Sequence, residues 1–375
     1  MQQKIPNPDE ICKMSVAGSD FQDWKSVRVE HHWAEAWAFF RFTAVERQPN
    51  PQQFVPGQDC NITLGGEAAL TGVITVRQVA YDANSHQVQL QGKSKSWYPS
   101  KSSIIKPTPT KFDGMTFQDI ASQVCKPFGI QPTYKGDISS KPFKKLRVEP
   151  GENVWMFLER IARMRRIVCG SDQKGNFQFI GKGGAGQGGS TTLEEGKNIL
   201  RMQCIFSVEN TQSEYIMNSQ SAGTDGHSGP PIAQQKSSMK GTAKAYSPLK
   251  TPNEHNVWDE DEVQLRTQHE QFWHEGDVLQ AVVTLQGWKT NSPQGGSLWR
   301  VGDNVHIKSP MCPLDVELGI LSAIFTQDND TGTLTTLICV PPFLLGGESE
   351  FNMSQSGAPQ DPSSYANDQA IQPSQ

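Results

Sequence analysis

From Trp24 to about Gln91 apolar and polar positions alternate: Val27 and Val29 with Arg28 and Glu30, then Phe40, Phe42 and Ala44 with Arg41 and Thr43. A period of two sends neighbouring side chains to opposite faces, so this stretch is expected to form half-buried sheet. Within it, Pro56 and Gly57 turn into an alternating strand ending at Leu64, Gly72 to Val76 follow, and an Asp82-Ala83-Asn84 turn leads to Val88-Gln89-Leu90. The same order recurs near the other end. Val301 and Gly302 lead into Asp303 to Lys308, then come Gly319 to Ala323, an Asp328-Asn329-Asp330 turn and Thr333-Leu334-Thr335. One β-rich unit used twice would give this pattern, and so would coincidence, because Gly-Asp turns and alternating strands are common.

Between the two stretches the period becomes helical. A polar Ser/Lys/Pro stretch from Lys93 to Thr110 reads as a linker. Thr116 with Asp119 three residues on is a capping-box pattern, and Phe117, Ile120, Ala121, Val124, Cys125 and Phe128 then share one face before Gly129. Lys145 to Glu149 reads as a short strand. Pro150 to Asn153 introduce a second helix with Val154, Phe157, Leu158 and Ile161 as its buried stripe; Arg160, Arg163 and Arg166 point elsewhere, and for Arg160, Arg163, Arg165 and Arg166 with Lys144 and Lys145 a solvated helix face is a simpler explanation than nucleic-acid contacts. Ile167 to Gly170 and Phe177 to Ile180 make a hairpin around Gly175-Asn176. After the glycine run Gly181 to Gly189, β character resumes near Ile199, breaks between about Gly223 and Asn256, and gives way to a helix from Asp259 to His274, with strands again from Val278.

The expected organisation is therefore α+β but mostly β: a first β unit over 1–95, a small α+β domain over 107–182, and a second β region over 195–345 with a variable insertion at about 221–256. The tail, 346–375, is too rich in Gln, Ser, Asn, Pro and Gly to offset its ordering entropy and is expected to be disordered.

A length of 375 residues suggests two to four domains, and a net charge of -5 gives no argument for gripping DNA or anionic membrane through the whole surface. The seven cysteines stand singly, which reads as buried thiols in a reducing compartment. The start of the chain lacks a signal-peptide core and no apolar run reaches spanning length, so assembly in a host cytoplasm without membrane insertion is expected.

Candidate chemistry is thin. Gly181, Gly183 and Gly186 satisfy the dinucleotide spacing, but Gly188 to Thr192 follow where a helix should receive the pyrophosphate, so a flexible connector is the better reading. Alternation sends His31 and His32 to opposite faces, and the histidines and cysteines never reach metal-ligand spacing within one element. No Gly-x-Ser-x-Gly elbow or local nucleophile signature is present. No catalytic residue, metal site or cofactor is expected.

Four stretches resemble the baseplate hub protein of contractile-tailed, Mu-like bacteriophages, the Mu-like tail protein P family. They are Asp23 to Val29 with Phe39 and Phe40; Thr116 to Ala121 running into Cys125 to Ile130; Glu152 to Trp155 through Gly175 to Phe179; and Gly287-Trp288-Lys289 with Leu298-Trp299 and the strands to Pro341. The likeness is collinear from about Asp23 to Leu345. It departs at Gly92 to Pro99 and at the insertion-like Ser221 to Lys250. The resemblance implies two tail-tube-like β-barrels per subunit and a homotrimeric, pseudo-sixfold ring in the virion baseplate. Such a ring would join the tail tube to the central spike, contact other baseplate proteins and pass DNA as cargo. Leu265, Phe272 and Trp273 on the Asp259 to His274 helix are the candidate subunit or domain interface. Two other readings stand beside this one: a tail-associated cell-wall hydrolase, and a carbohydrate-binding β module supported by nine tryptophans.

Overall fold

The computed structural model describes residues 7–44, 54–81, 86–105, 108–186, 191–220, 234–252, 260–276, 278–290 and 296–346. The Asp82 to Asn84 turn, Gln187 to Ser190, Asp259, stretches 221–233 and 253–256 of the insertion and the tail beyond Gly346 lie outside the described residues.

A first β unit runs β1 (Cys12–Val16), β2 (Ser19–Phe21), β3 (Ser26–His32), β4 (Phe39–Ala44), β5 (Asp59–Leu64), β6 (Glu67–Tyr81) and β7 (His86–Ser94). The α+β part follows, with α1 (Trp97–Ser100), α2 (Phe117–Cys125), β8 (Thr133–Lys135), α3 (Val154–Arg163), β9 (Val168–Ser171) and β10 (Phe177–Ile180). The second unit opens with β11 (Thr191–Glu194) and β12 (Arg201–Phe206). An insertion of β13 (Glu214–Gln220), β14 (Gln234–Lys240), β15 (Pro248–Pro252) and α4 (Glu260–Gly276) comes next. The unit closes with β16 (Leu279–Gln286), β17 (Asn304–Ser309), β18 (Leu314–Asp328), β19 (Gly332–Val340) and a 3-10 turn, Pro342–Leu345.

The two units repeat one strand order. The first runs β3-β4-β7-β6-β5-β1 and the second β12-β16-β19-β18-β17-β11. Strand lengths agree too: β5 and β17 have 6 residues, β6 and β18 have 15, β7 and β19 have 9. Both long strands are bulged, between Ile74 and Val76 and between Ile320 and Ser322. Gly72 stands two residues and Gly319 one residue before these bulges. β1 and β11 differ in direction: β1 pairs antiparallel with β5, β11 parallel with β17.

Neither unit closes on itself by strand pairing among the described residues. Instead one 13-stranded sheet runs through both, because β3 uses its second edge on β18, with Val29 opposite Phe325 and His32 opposite Ser322. Closed barrels are thus corrected to two curled halves of a continuous sheet. Their inner faces merge into one apolar cluster in which Val29, Phe40, Phe42, Leu90, Phe325 and Leu337 are fully buried. Burial of each such side chain contributes about 1.5–3 kcal/mol, so the seam is part of the core rather than a contact between finished domains. Gly302, at φ 86°, lies flat against the Trp33 ring, where any Cβ would collide.

The α+β part has its own core. Thr116 caps α2 by accepting from the Asp119 N–H while the Asp119 carboxylate takes the Thr116 N–H, and Asn153 caps α3 by accepting from Met156 N at 2.8 Å. Phe117, Ile120, Val124, Phe157, Leu158 and Ile161 meet against Phe177 and Phe179 of the β9–β10 hairpin. Three expectations change here. Lys93 and Ser94 belong to β7 and Trp97–Ser100 is helical, so the linker is shorter. Lys145 to Glu149 makes only an isolated bridge, Lys111 to Arg147. The glycine run is no free connector over its described part: Gly181 N donates to Lys135 O, Gly183 N to Gly346 O and Gly186 N to Gly302 O. At Gly181 and Gly184 backbone atoms stand where a Cβ would go, so close packing explains the glycines.

Candidate functional site

The helix carrying Leu265, Phe272 and Trp273 lies where all parts of the chain meet. α4 packs on β13 and β14 and touches α3 and the Pro342–Leu345 turn. Phe272 stands 5.6 Å from the Phe343 ring, with the Arg166 guanidinium 4.4 Å over its own ring. Trp273 is 52% exposed, and Leu265 is half-buried on the same helix. Phe272 and Trp273, with Ala34, Trp155, Cys169 and Phe343, line a cavity of about 420 Å³. Leu265 does not reach it. The structure therefore brings two of the three residues to one place, between α3, α4, the β3–β4 turn and the end of the second unit.

Charge fastens this junction. Arg165 Nη1 donates to Glu262 Oε1 at 2.5 Å, with both side chains almost wholly buried, tying the α+β part to α4. Arg160 makes a two-pronged bond to Glu152, 2.6 and 2.9 Å, and donates to Arg147 O at 2.9 Å. Removing one member of such a pair leaves a buried charge unmatched, whereas the whole pair contributes little over an apolar replacement. The solvated-face reading of these arginines is corrected: Arg160 and Arg165 are buried. Glu152 precedes α3 and lies eight residues from Arg160, outside the three- or four-residue spacing that brings charges together along a helix. Glu262 lies 97 residues from Arg165, and no local pattern links them.

Nearby His269 is pushed down to about 3, first by burial and then by Arg266, Arg163 and Arg166. At the seam, burial holds His31 down to about 4, while the His32 and Arg28 hydrogen bonds draw Glu30 to about 2 against its desolvation. His31 and His32 do point to opposite faces: His31 is buried, and His32 Nδ1 is 2.7 Å from Ser322 Oγ. All seven cysteines are free thiols. Burial pushes the Cys60 and Cys125 thiols up to about 12, far from a nucleophile's range. Among the described residues no group of three or more His, Cys, Asp or Glu could hold a metal ion. No helix among them is long and apolar enough to cross a membrane.

A second surface cluster sits where the family pattern is broken. Lys101 Nζ lies 3.5 Å from the Trp97 ring centroid, and Lys93 Nζ lies 4.5 Å from Trp37 and 5.4 Å from Trp97. Burial, then Lys101, lowers the Lys93 pKa. These cations lie over aromatic faces, a contribution of about 0.5–1 kcal/mol each at exposed sites.

Comparison with known proteins places this architecture. Residues 11–94 match the family described as Mu phage baseplate assembly protein GpP-like, N-terminal, and residues 102–181 match baseplate hub protein gp44-like, second domain. The 43 kDa tail protein of prophage MuSo2 from Shewanella oneidensis is similar in structure, at 26% identity over 88% of this chain and 98% of that one, with a TM-score of 0.76. A tail protein from Neisseria meningitidis MC58 shares the fold at 19% identity, 89% and 97% coverage and a TM-score of 0.74. So does the E. coli c3393 protein, described as a type VI secretion component similar to T4 tail proteins gp27 and gp5, at 11% identity, 88% and 76% coverage and a TM-score of 0.56. No curated protein matches the sequence. The matches over these two segments and the likeness to phage tail proteins support a structural baseplate role for the chain.

Proposed function

We propose that the protein works as a homotrimeric ring joining the tail tube to the central spike of a contractile tail, and performs no chemistry of its own. The observation that carries this is the repeat: two β units of one strand order in one chain let three subunits present six similar faces. A ring with six such faces on one side and three chains on the other suits a sixfold tube above a trimeric spike. Other baseplate proteins would meet its outer surface, and DNA would cross only as cargo. A duplex carrying about one negative charge per 1.7 Å slides best past a neutral or acidic lining. The net charge of -5 agrees with that.

Light scattering of the purified chain tests the oligomer, and co-sedimentation with cognate tube and spike proteins tests the function. A trimer that binds both, without activity on a peptidoglycan gel, is the expected result. Muralytic activity abolished by one carboxylate or cysteine substitution would overturn this reading in favour of a hydrolase. Phe272 and Trp273, with Leu265 apart from them on the same helix, belong to the same proposal as a subunit or domain interface. If Phe272→Ala left both assembly and folding untouched, that assignment would fail.

A further inference from the structure

The repeat is close enough to map one unit onto the other residue by residue. In the first unit a lateral row runs Val29, Phe40, Gly92, Ile74, ending at the β6 bulge. In the second the row Cys204, Ala281, Cys339, Ile320 ends at the β18 bulge. Cys204 thus occupies the place of Val29. Past the bulges, Val79 occupies the place of Phe325, each three residues beyond the point where the register resumes at Val76 and Ser322.

Within the chain, β3 pairs with β18 beyond its bulge, and Trp33 N donates to the carbonyl of the bulged Leu321 at 2.7 Å. The inward side chains of this seam, Val27, Val29, His31, Ala323 and Phe325, are all buried. The counterparts of the two strands are β12 and the outer half of β6. Among the described residues β12 pairs only with β16, and no strand lies beside β6 beyond Val73 on its β5 side. Within the chain these two edges are not paired with each other: β12 ends the sheet path, and six strands separate it from β6. Both carry apolar side chains in water: Phe206 is 38% exposed and Val208 66%, Val79 40% and Tyr81 81%. Long exposed apolar edges are association sites unless they are blunted by charge or bulges.

We propose that β12 of one copy pairs antiparallel with the outer half of β6 in a second copy, Cys204 opposite Val79, repeating between chains the seam that β3 and β18 make within one. Met202 then faces Tyr81 of the second copy, Phe206 faces its Arg77, and Val208 N meets its Thr75 carbonyl as Trp33 N meets Leu321. The contact is head-to-tail, so repeating it generates a ring or a filament. Closure after three copies rests on the trimeric reading above; the strand pairing itself rests on the repeat.

Directly opposed residues of an antiparallel pair have Cα atoms about 4.5–5.5 Å apart, inside the range a disulfide spans. The test uses the full chain carrying V79C, with C312S in every chain and native Cys204 as the partner, because Cys312 lies within hydrogen-bonding reach of Cys204 and would compete for it. Light scattering gives the oligomer, and mild oxidation followed by non-reducing electrophoresis gives the bond. Chains bearing V79C and C204S, mixed with size-tagged chains retaining Cys204, should give a reducible mixed dimer. A80C in place of V79C, facing the other way, should give at least tenfold less. An oligomer that forms no such bond overturns the pairing and leaves the ring standing. A chain that stays monomeric at high micromolar concentration and gives no bond overturns both.

Discussion

The two β units share strand order and lengths, and each spends one outer edge inside the chain and leaves the other in water: the first seals β3 and exposes the outer half of β6, the second seals the outer half of β18 and exposes β12. β3 and the outer half of β18 are sealed against each other, with Val29 and Phe325 inaccessible, whereas their counterparts Cys204 and Val79 stand at open edges. The units also differ in what fills equivalent connections. Between β3 and β4 the chain makes a short turn, Trp33 to Ala38. Between β12 and β16 it inserts a three-stranded sheet and α4. Both connections reach the same place, since Ala34 and Phe272 line one cavity and Ala36 and Val263 join the core of the α+β part. Repetition thus conserves the sheet, while position in the chain decides which edges become core.

The sharpest way to break this comparison is the same truncation at equivalent positions. Phe325→Ala should cost about 3–5 kcal/mol, the range for removing a buried aromatic ring. Val79→Ala should cost under about 0.5 kcal/mol in the separated chain, because its side chain is already in water. Denaturant unfolding of both variants at low protein concentration checks this. Equal losses would mean that the two edges are not distinct in the monomer.

A loss of similar size should follow Glu262→Ala, about 3–5 kcal/mol, because the buried Arg165 guanidinium would lose its carboxylate. This reaches only the second unit's insertion and its anchor. Hydrogen exchange should show α4 and β13 to β15 opening first, with β3 and β18 still protected. Simultaneous loss at the seam would show that the insertion supports the sheet as well.

What the sequence disclosed follows this division. Gly57 with Gly302 and the strands around them were legible because alternation and turn chemistry are local, although Gly319 takes the place of Val73 rather than of Gly72. So were α2 and α3, whose caps and apolar stripes lie within one or two turns. The seam was not, because pairing of Val29 with Phe325 joins positions far apart in the chain and leaves no periodic trace. β13 falls within the stretch expected to be β, whereas β14 and β15 were hidden by Ser, Lys and Gly, for they are held by pairing with β13, and β14 also by packing on α4, rather than by strand composition. Leu265 and Phe272 stand a heptad apart, with Trp273 beside Phe272 in sequence, and such spacing finds a helix face but not what covers it. Arg160 and Arg165 looked solvated because a charge's buried partner is visible only in three dimensions.

Acid should separate the units next. His31, at the seam, is held neutral at about 4, below the ordinary 6.5 of the unfolded chain. The unfolded state therefore binds the proton first, so stability is full above about pH 6.5 and declines as pH falls toward 4, by up to about 3 kcal/mol. The position in the second unit equivalent to His31 is Phe206, which carries no proton. His269, held at about 3, adds a loss in the same direction from the α4 junction. His31→Leu should flatten the stability profile between pH 4 and 6.5 without abolishing its slope. An unchanged slope would put the acid sensitivity at His269 and other groups outside the seam.

The smallest effect asks whether the α+β part stands apart from either unit. Thr116 and Asp119 close the first turn of α2 reciprocally, and the amide of Asp119 loses its side-chain acceptor if the hydroxyl is removed. Thr116→Ala should cost about 1 kcal/mol, the usual figure for an N-cap. α2 packs on α3 and on the β9–β10 hairpin, and its buried residues belong to the second apolar cluster rather than to the one shared by the β units. The loss should therefore appear as faster exchange at Phe117 to Cys125, with amides of β3 and β18 unaltered under native conditions. If the seam amides quickened by the same factor, the two cores would be opening as one cooperative unit. The contrast between a sealed and an open edge would then describe geometry without describing stability.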